Sequence, residues 1–298
     1  MRIAIIGGSG FIGKWFIKEF GDKYKCVIFG RRKDVNELKI AGEKYKYIRT
    51  DFSKDQLVKQ LEGFDAVIHL AAKRFEPQEK MEEYLQNIKI SSNLFEACKT
   101  LGIKNVIHLS TIGVYSAEEE LPWTESQNVN PSTFYAISKL AIEKVANYYN
   151  KKHKMKIKNL RVAQVLGVGE REGFMLSVFL EKALDKKTLT VYGKGEGRRE
   201  YIYVKDVVNA IQRALEVHNE EGIFNIGINK NISHKELAET INKVFENSNN
   251  IKILNEYSED KSIQLMSIDK AKQMLKWRSH WTLKEALFDM KTILINDS

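Results

Sequence analysis

Apolar and polar residues along the chain fall into short near-continuous apolar runs that alternate with longer stretches of helical period. Residues 3–6 (IAII) and 26–30 (CVIFG) are apolar runs of strand length. A third run, YIRTD, closes at Asp51, and a fourth, DAVIHLAA, starts at Asp65. NVIHLS from Asn105 and IKNLRVAQVLG from Ile157 supply a fifth and a sixth. Runs apolar at nearly every position suit strands buried on both faces. Between them, residues 14–20, 54–61, 81–101 and 132–150 carry helical patterning, the last expected to be led in by Pro131. Strands alternating with helices predict right-handed βαβ units. The expected fold is therefore α/β, a Rossmann-like doubly wound parallel sheet.

Beyond Gly167 the rhythm becomes irregular. It runs through helix 174–184, the turn YGKGEG, strand 201–204 and helix 206–217. Ser233 then opens helix 233–245, with Glu236 placed for a capping box, and 283–293 supply a last helix. The expected division is a dinucleotide-binding domain over 1–166, with roughly 200–228 returning to it. A smaller α/β C-terminal substrate domain would comprise 167–199 and 229–298.

The stretch with most chemical content is MRIAIIGGSGFIGKWF, where Gly7, Gly10 and Gly13 follow the first strand and open the first helix. A strand turning through glycines into a helix presents bare N–H groups to an anion. Gly7 permits the turn, Gly10 leaves room for a pyrophosphate, and Gly13 lets helix and strand approach closely. The setting favours dinucleotide binding over a glycine-rich loop without a ligand. A second constellation is Tyr135-Ala-Ile-Ser-Lys139, whose spacing of four puts both side chains on one helix face. An ammonium beside a phenol favours the phenolate and would lower the tyrosine pKa toward neutrality. The bland alternative is an exposed helical pair. Ser110 and Thr111, at the ligand-binding end of the fifth strand, would add hydroxyls able to polarise the same substrate oxygen. They could also be simple strand-end caps.

Composition narrows the setting. The 298 residues are 43% hydrophobic and 29% charged, as in an ordinary globular protein, with no run of membrane-span length. No signal-peptide pattern opens the chain. Cys26 and Cys98 read as reduced core thiols, and the six histidines are too scattered for a metal site. A cytoplasmic protein is expected, with no membrane and no nucleic-acid partner. The net charge of +9 suggests at most a preference for anionic small molecules. The basic run KKHKMKIK at 151–158 reads as a solvated connection.

These motifs, in this order, resemble the extended short-chain dehydrogenase/reductase family, in its branch of nucleotide-sugar epimerases, dehydratases and reductases. GGSGFIG, with Gly7, Gly10, Phe11 and Ile12, resembles the cofactor loop, and Asp51-Phe52 the adenine contact. VIHLAA, with Leu70, Ala71 and Ala72, resembles the stretch beside the cofactor, and Asn87 holds a recurrent polar position. STIGVYS and YAISK resemble the serine/threonine segment and the tyrosine–lysine pair. LRVAQVLG resembles the strand flanking the nicotinamide, with Gln164 where many members carry asparagine. VYGKGEGRREYIYVKDVVNA resembles the substrate-side segment, with Arg199 at the phosphate-contacting arginine. FNIG at Phe224 and KAKQMLKW from Lys270 complete the likeness. The resemblance implies that Tyr135 is the general acid/base and that Lys139 tunes it and binds ribose. Thr111 would hydrogen-bond the sugar oxygen, with Gln164 and Arg199 on the substrate. It also implies a homodimer through the two long helices.

Within that family, Gly30-Arg31-Arg32 lacks the acidic residue usual in NAD-preferring members. Paired guanidinium groups suit a 2′-phosphate, so NADP(H) is favoured and NAD(H) remains possible. Arg31 and Arg32 could instead edge a loop or stack on adenine. Ile112 and Gly113 follow Thr111 where dehydratases carry an acidic pair, and the glutamate usual in decarboxylases is missing, which disfavours both reactions. The expected function is NADPH-dependent reduction of a nucleotide-linked 4-keto-6-deoxysugar at C4. An NAD-dependent nucleotide-sugar 4-epimerase is the alternative, and a non-catalytic dinucleotide sensor or scaffold ranks below both.

Overall fold

The computed structural model describes residues 1–76, 78–247 and 250–296. The first half alternates as expected: β1 (Arg2–Ile6), α1 (Phe11–Phe20), β2 (Lys25–Gly30), β3 (Glu37–Ile40), β4 (Glu43–Arg49), α2 (Lys54–Gln60), β5 (Ala66–His69), α3 (Met81–Leu101) and β6 (Asn105–Thr111). Then come α4 (Phe134–His153), β7 (Lys156–Val162), β8 (Gln164–Leu166), α5 (Met175–Leu184), β9 (Leu189–Tyr192), β10 (Arg198–Arg199), β11 (Tyr201–Tyr203) and α6 (Val204–Glu216). The chain closes with β12 (Gly222–Ile226), β13 (Ile232–Ser233), α7 (His234–Val244), β14 (Ile251–Leu254), α8 (Asp269–Met274) and α9 (Leu283–Asn296).

The central sheet has eight strands in the order β12-β7-β6-β5-β1-β2-β4-β3. All pairings are parallel except β3 with β4. The order reverses at β1, where strands added later in the chain lie on one side and β2 on the other. Such a switch point opens a crevice at the carboxyl ends of the strands. Side chains alternate across the sheet. Ile3, Ile5, Ile68 and Ile107 join one core with α1 and α6, while Ala4, Ile6, Val67 and Val106 join a second core with α2, α3 and α4. The sheet is thus covered on both faces.

Four local expectations change. The third parallel strand ends at Arg49, and the antiparallel edge strand β3 precedes it. Its pattern of exposed Glu37 and Lys39 gave no long apolar run to detect. Pro131 does not lead α4, which starts at Phe134 behind Thr133, whose hydroxyl accepts from Ala136 N. The run from Ile157 is two strands, because the chain changes partner at Ala163. Its N–H donates to Ile226 O, whereas that of Gln164 donates to Glu200 O, so β7 stays in the main sheet and β8 pairs β11. Finally, the basic run is not all solvated. Lys158 is fully buried and donates to Asn105 Oδ1 at 3.0 Å. The capping box of α7 forms as expected, with Ser233 and Glu236 each accepting from the other's backbone N–H. The remaining segments include a two-stranded parallel sheet, β9 with β14, against which α5 and α7 pack.

Candidate functional site

A cavity of about 1020 Å³ opens at the carboxyl ends of β1, β2, β5, β6 and β7. That is the size class of a site for a large ligand. One end is made by the glycine turn. Gly7 adopts φ +84°, and a Cβ there would lie 2.7 Å from Ala71 N. A Cβ on Gly13 would lie 2.5 Å from Gly8 Cα, so both residues are needed for the strand–helix corner to close. Gly10 caps α1 without a side-chain hydrogen bond, and no acidic residue occupies the first turn. The N-terminal N–H groups of α1 therefore face the cavity side with no carboxylate competing for them, a cradle that fits a pyrophosphate.

Phe11, Ile12, Leu70, Ala71, Ala72, Arg31 and Phe52 continue the wall. Phe52 has φ +62°, and its N–H is held by Thr50 Oγ1 while Asn93 donates to its carbonyl. The guanidinium of Arg31 lies 5.4 Å from the centroid of the Phe52 ring. Two expected cofactor contacts are not on this wall. Asp51 is exposed and accepts from Ser53 N, which together with the Ser53 hydroxyl holds its pKa below the ordinary value. Arg32 is exposed, and its backbone N–H donates to Tyr47 Oη. The two arginines do not converge as a pair.

Thr111, Tyr135 and Lys139 meet at the other end of the cavity, with Gln164 and Arg199. Tyr135, Lys139 and Glu143 follow one another at intervals of four along α4, so they form one stripe facing the sheet. Lys139 Nζ donates to Leu109 O at 2.6 Å, stands 3.5 Å from His108 Nε2, and lies 5.9 Å from the Tyr135 ring centroid. His108 in turn meets Asn159 Oδ1 through Nδ1 at 2.9 Å. Beside it His69 Nε2 meets Ser91 Oγ, and both imidazoles are held neutral chiefly by burial. Glu143 accepts two hydrogen bonds from Arg161, a buried bidentate pair. Ser110 also donates to Glu143. The hydroxyl of Ser110 is therefore committed beneath the site, and Thr111 alone of the two lines the cavity with an uncommitted donor. Its Oγ1 accepts from Gly113 N at 3.1 Å.

The electrostatics also depart from expectation. Burial pushes the Tyr135 phenol up to about 12, with Arg74 acting against that rise. Burial brings Lys139 down to about 8, opposed by Glu143. The lysine thus spends its ammonium on the Leu109 carbonyl, and the charge that lowers the phenol, against a larger desolvation, is that of Arg74.

Arg199 is held by Asp260 and donates to Ser262 O. Asn87, rather than lining the wall as a free amide, pins the loop after β5. Its side chain accepts from Lys73 N and donates to Lys73 O and Ser138 Oγ. Sequence reasoning missed the buried layer of His108, Asn159, Glu143 and Arg161, as well as Lys73, Arg74, Glu170 and Arg171 on the wall. The layer did leave a signal, since His108 and Ser110 in β6, and Asn159 and Arg161 in β7, fall at alternate positions and so share one face of each strand.

Known proteins share this architecture along nearly the whole chain. The structure of UDP-N-acetylglucosamine 4-epimerase from Bacillus cereus superposes with a TM-score of 0.90 and 32% identity, covering 99% of this chain and 96% of that one. The UDP-N-acetylglucosamine 4-epimerase of Methanobrevibacter ruminantium, solved with UDP-N-acetylmuramic acid, gives 0.89 and 26% over 100% and 99%. By sequence, the dTDP-4-dehydro-6-deoxyglucose reductase of Escherichia coli is 28% identical over 80% of each chain. The sequence model of the NAD dependent epimerase/dehydratase family matches residues 3–227, from β1 through β12. With a doubly wound sheet, a glycine corner at its switch point and that match over three quarters of its length, the chain belongs to the NAD-dependent epimerase/dehydratase family.

Proposed function

We propose that this protein is an oxidoreductase acting at C4 of a nucleotide-linked sugar, with 4-epimerisation as the reading supported best. The observation that carries it is the meeting of Thr111, Tyr135 and Lys139 with the glycine turn in one cavity. Ile112, buried, and Gly113 occupy the positions after Thr111 and can transfer no proton. Dehydration and decarboxylation stay disfavoured on that ground.

The glycine turn, the N-terminus of α1, Arg31 and Phe52 would hold a dinucleotide, which supplies the hydride acceptor and donor. Tyr135 Oη takes the proton of the C4 hydroxyl and later returns it. The Thr111 hydroxyl hydrogen-bonds the same oxygen. Arg74 supplies positive charge that favours the phenolate against desolvation, and Lys139 holds its ammonium on the Leu109 carbonyl beside the ring. Arg199 would exchange Asp260, a carboxylate 66% exposed, for the nucleotide diphosphate. NAD is the cofactor this reading favours, because Arg31 lines the cavity against Phe52 without Arg32 beside it. The division into a 1–166 plus 200–228 cofactor part and a 167–199 plus 229–298 substrate part goes with this reading. So do a cytoplasmic setting and a homodimer through α3 and α4, where Leu85, Phe134 and Tyr148 are exposed.

A second reading, an NADPH-dependent 4-ketoreductase, is favoured by the missing acidic residue at the end of β2, where Arg31 follows Gly30. Mass spectrometry of the dinucleotide that co-purifies separates the two. Bound NAD, with interconversion of UDP-N-acetylglucosamine and its C4 epimer, is the expected result. Oxidation of added NADPH by a dTDP-4-keto-6-deoxysugar, with no epimerisation, would replace the first reading by the second.

A further inference from the structure

The wall beside Tyr135 is built from two loops whose charges balance. Lys73 and Arg74 follow β5, with Glu76 close behind and Glu83 in the first turn of α3; Glu170 and Arg171 lie between β8 and α5. Arg74 Nη1 meets Glu170 Oε1 at 2.7 Å, and the same oxygen accepts from Arg171 N at 2.8 Å. Arg171 donates to Phe75 O at 2.6 Å and packs its guanidinium 4.4 Å from the Phe174 ring centroid. Lys73 bridges Glu76 at 2.8 Å and Glu83 at 3.2 Å. These loops flank the reacting phenol. Tyr84 packs edge-on at 6.4 Å from the Tyr135 ring and donates to Arg74 O, and Glu79 accepts from the N–H groups of Phe134 and Tyr135.

We propose that this end of the cavity selects an uncharged sugar, a hexose or N-acetylhexosamine rather than a uronic acid, with Glu170 the residue that sets the selection. The inference rests on the nucleotide-sugar reading above. Lys73, Arg74 and Arg171 already face Glu76, Glu83 and Glu170. A sugar hydroxyl both donates and accepts, so it can join such pairs without breaking one. A carboxylate only accepts, so it either displaces one of these carboxylates or sets a second negative charge beside it. The Arg199–Asp260 pair tolerates that exchange, because Asp260 is 66% exposed and returns to water. Glu170 is only 18% exposed and would stay beside the incoming charge with its partner lost. Like charges set together at such a site weaken binding, here moderated by solvent at the half-exposed Arg74.

Calorimetric titration of the NAD⁺-loaded protein tests this with UDP-glucose, UDP-N-acetylglucosamine, UDP-glucuronate and dTDP-glucose. The neutral sugars on the better nucleotide should bind at least about tenfold more tightly than UDP-glucuronate. Glu170→Gln should narrow that gap by tightening UDP-glucuronate. Arg74→Gln, which frees the Glu170 charge, should widen it, and this arm serves if the first variant fails to fold. UDP-glucuronate binding as tightly as the neutral sugars, or a gap unmoved by both variants, overturns the inference and leaves the nucleotide-sugar reading standing. Binding of none of the four ligands overturns both.

Discussion

The two faces of the central sheet are built on different terms. Toward α1 and α6 the strands present Ile3, Ile5, Ile28, Ile68, Ile107, Leu160 and Val162, with Lys158 as an ionisable exception. Toward α3 and α4 the same strands present Val67, Val106 and Ile157 near their starts. At their carboxyl ends they present His69, His108, Ser110, Asn159 and Arg161. The first face is held by area removed from water, which is non-directional and tolerant. The second holds its polar side chains through partners at defined distances, leaving His69 Nδ1 and Arg161 Nη1 of the layer without a hydrogen bond. A buried polar layer of this kind is a poor source of stability. Its effect here is to fix Lys139, and through the stripe on α4 the whole end of the cavity that carries Tyr135.

That contrast can be broken in several ways. The largest effect is expected at the end of the stripe. Tyr135→Phe should lower kcat by about 10²- to 10⁴-fold, the range for loss of a general acid/base. Dinucleotide affinity, read by fluorescence quenching, should hardly change, and an active phenylalanine variant would remove Tyr135 from the chemistry. Next in size, Glu143→Ala leaves Arg161 buried and unpaired and should cost about 3–5 kcal/mol in urea unfolding. Ile5→Val on the opposite face should cost only about 0.5–1.5 kcal/mol. Equal losses would mean that the two faces do not differ in kind.

The smallest effect is a pH dependence. Lys139 is lowered by burial to about 8, so below that pH the folded protein carries a charge it holds at a cost. Between about 8 and the ordinary lysine value the folded state releases a proton that the unfolded chain keeps, and stability rises with pH. Lys158, also near 8 by burial and its neighbour Lys156, contributes in the same direction. Lys139→Met and Lys158→Met should each lower the slope of unfolding free energy against pH between 8 and 10, by at most about 1.4 kcal/mol per pH unit for one proton. A slope unchanged in both variants would show that neither buried ammonium is strained.

Much of this was legible in the chain itself, and the reason is local. The alternation of strand and helix, the span of α3, the Ser233–Glu236 capping box, the glycine corner and the four-residue spacing of Tyr135 and Lys139 are relations between neighbours in sequence. Covalent geometry carries such relations directly. The break at Ala163 was not legible, since it depends on which distant groups take the backbone N–H of Ala163 and Gln164, namely Ile226 and Glu200. The start of α4 was set locally by Thr133, with Glu79 taking two further N–H groups from a distance.

The sequence by itself determined a doubly wound sheet with a dinucleotide corner at its switch point and a tyrosine–lysine pair on one helix. Only the tertiary structure decided that Ser110 serves Glu143 rather than the substrate and that Arg31 meets Phe52 without Arg32. It alone brought Arg74 and Glu170 together beside Tyr135, 96 positions apart in the chain. A buried polar group must find its partner wherever packing places one. That partner is chosen by the fold and not by proximity along the chain.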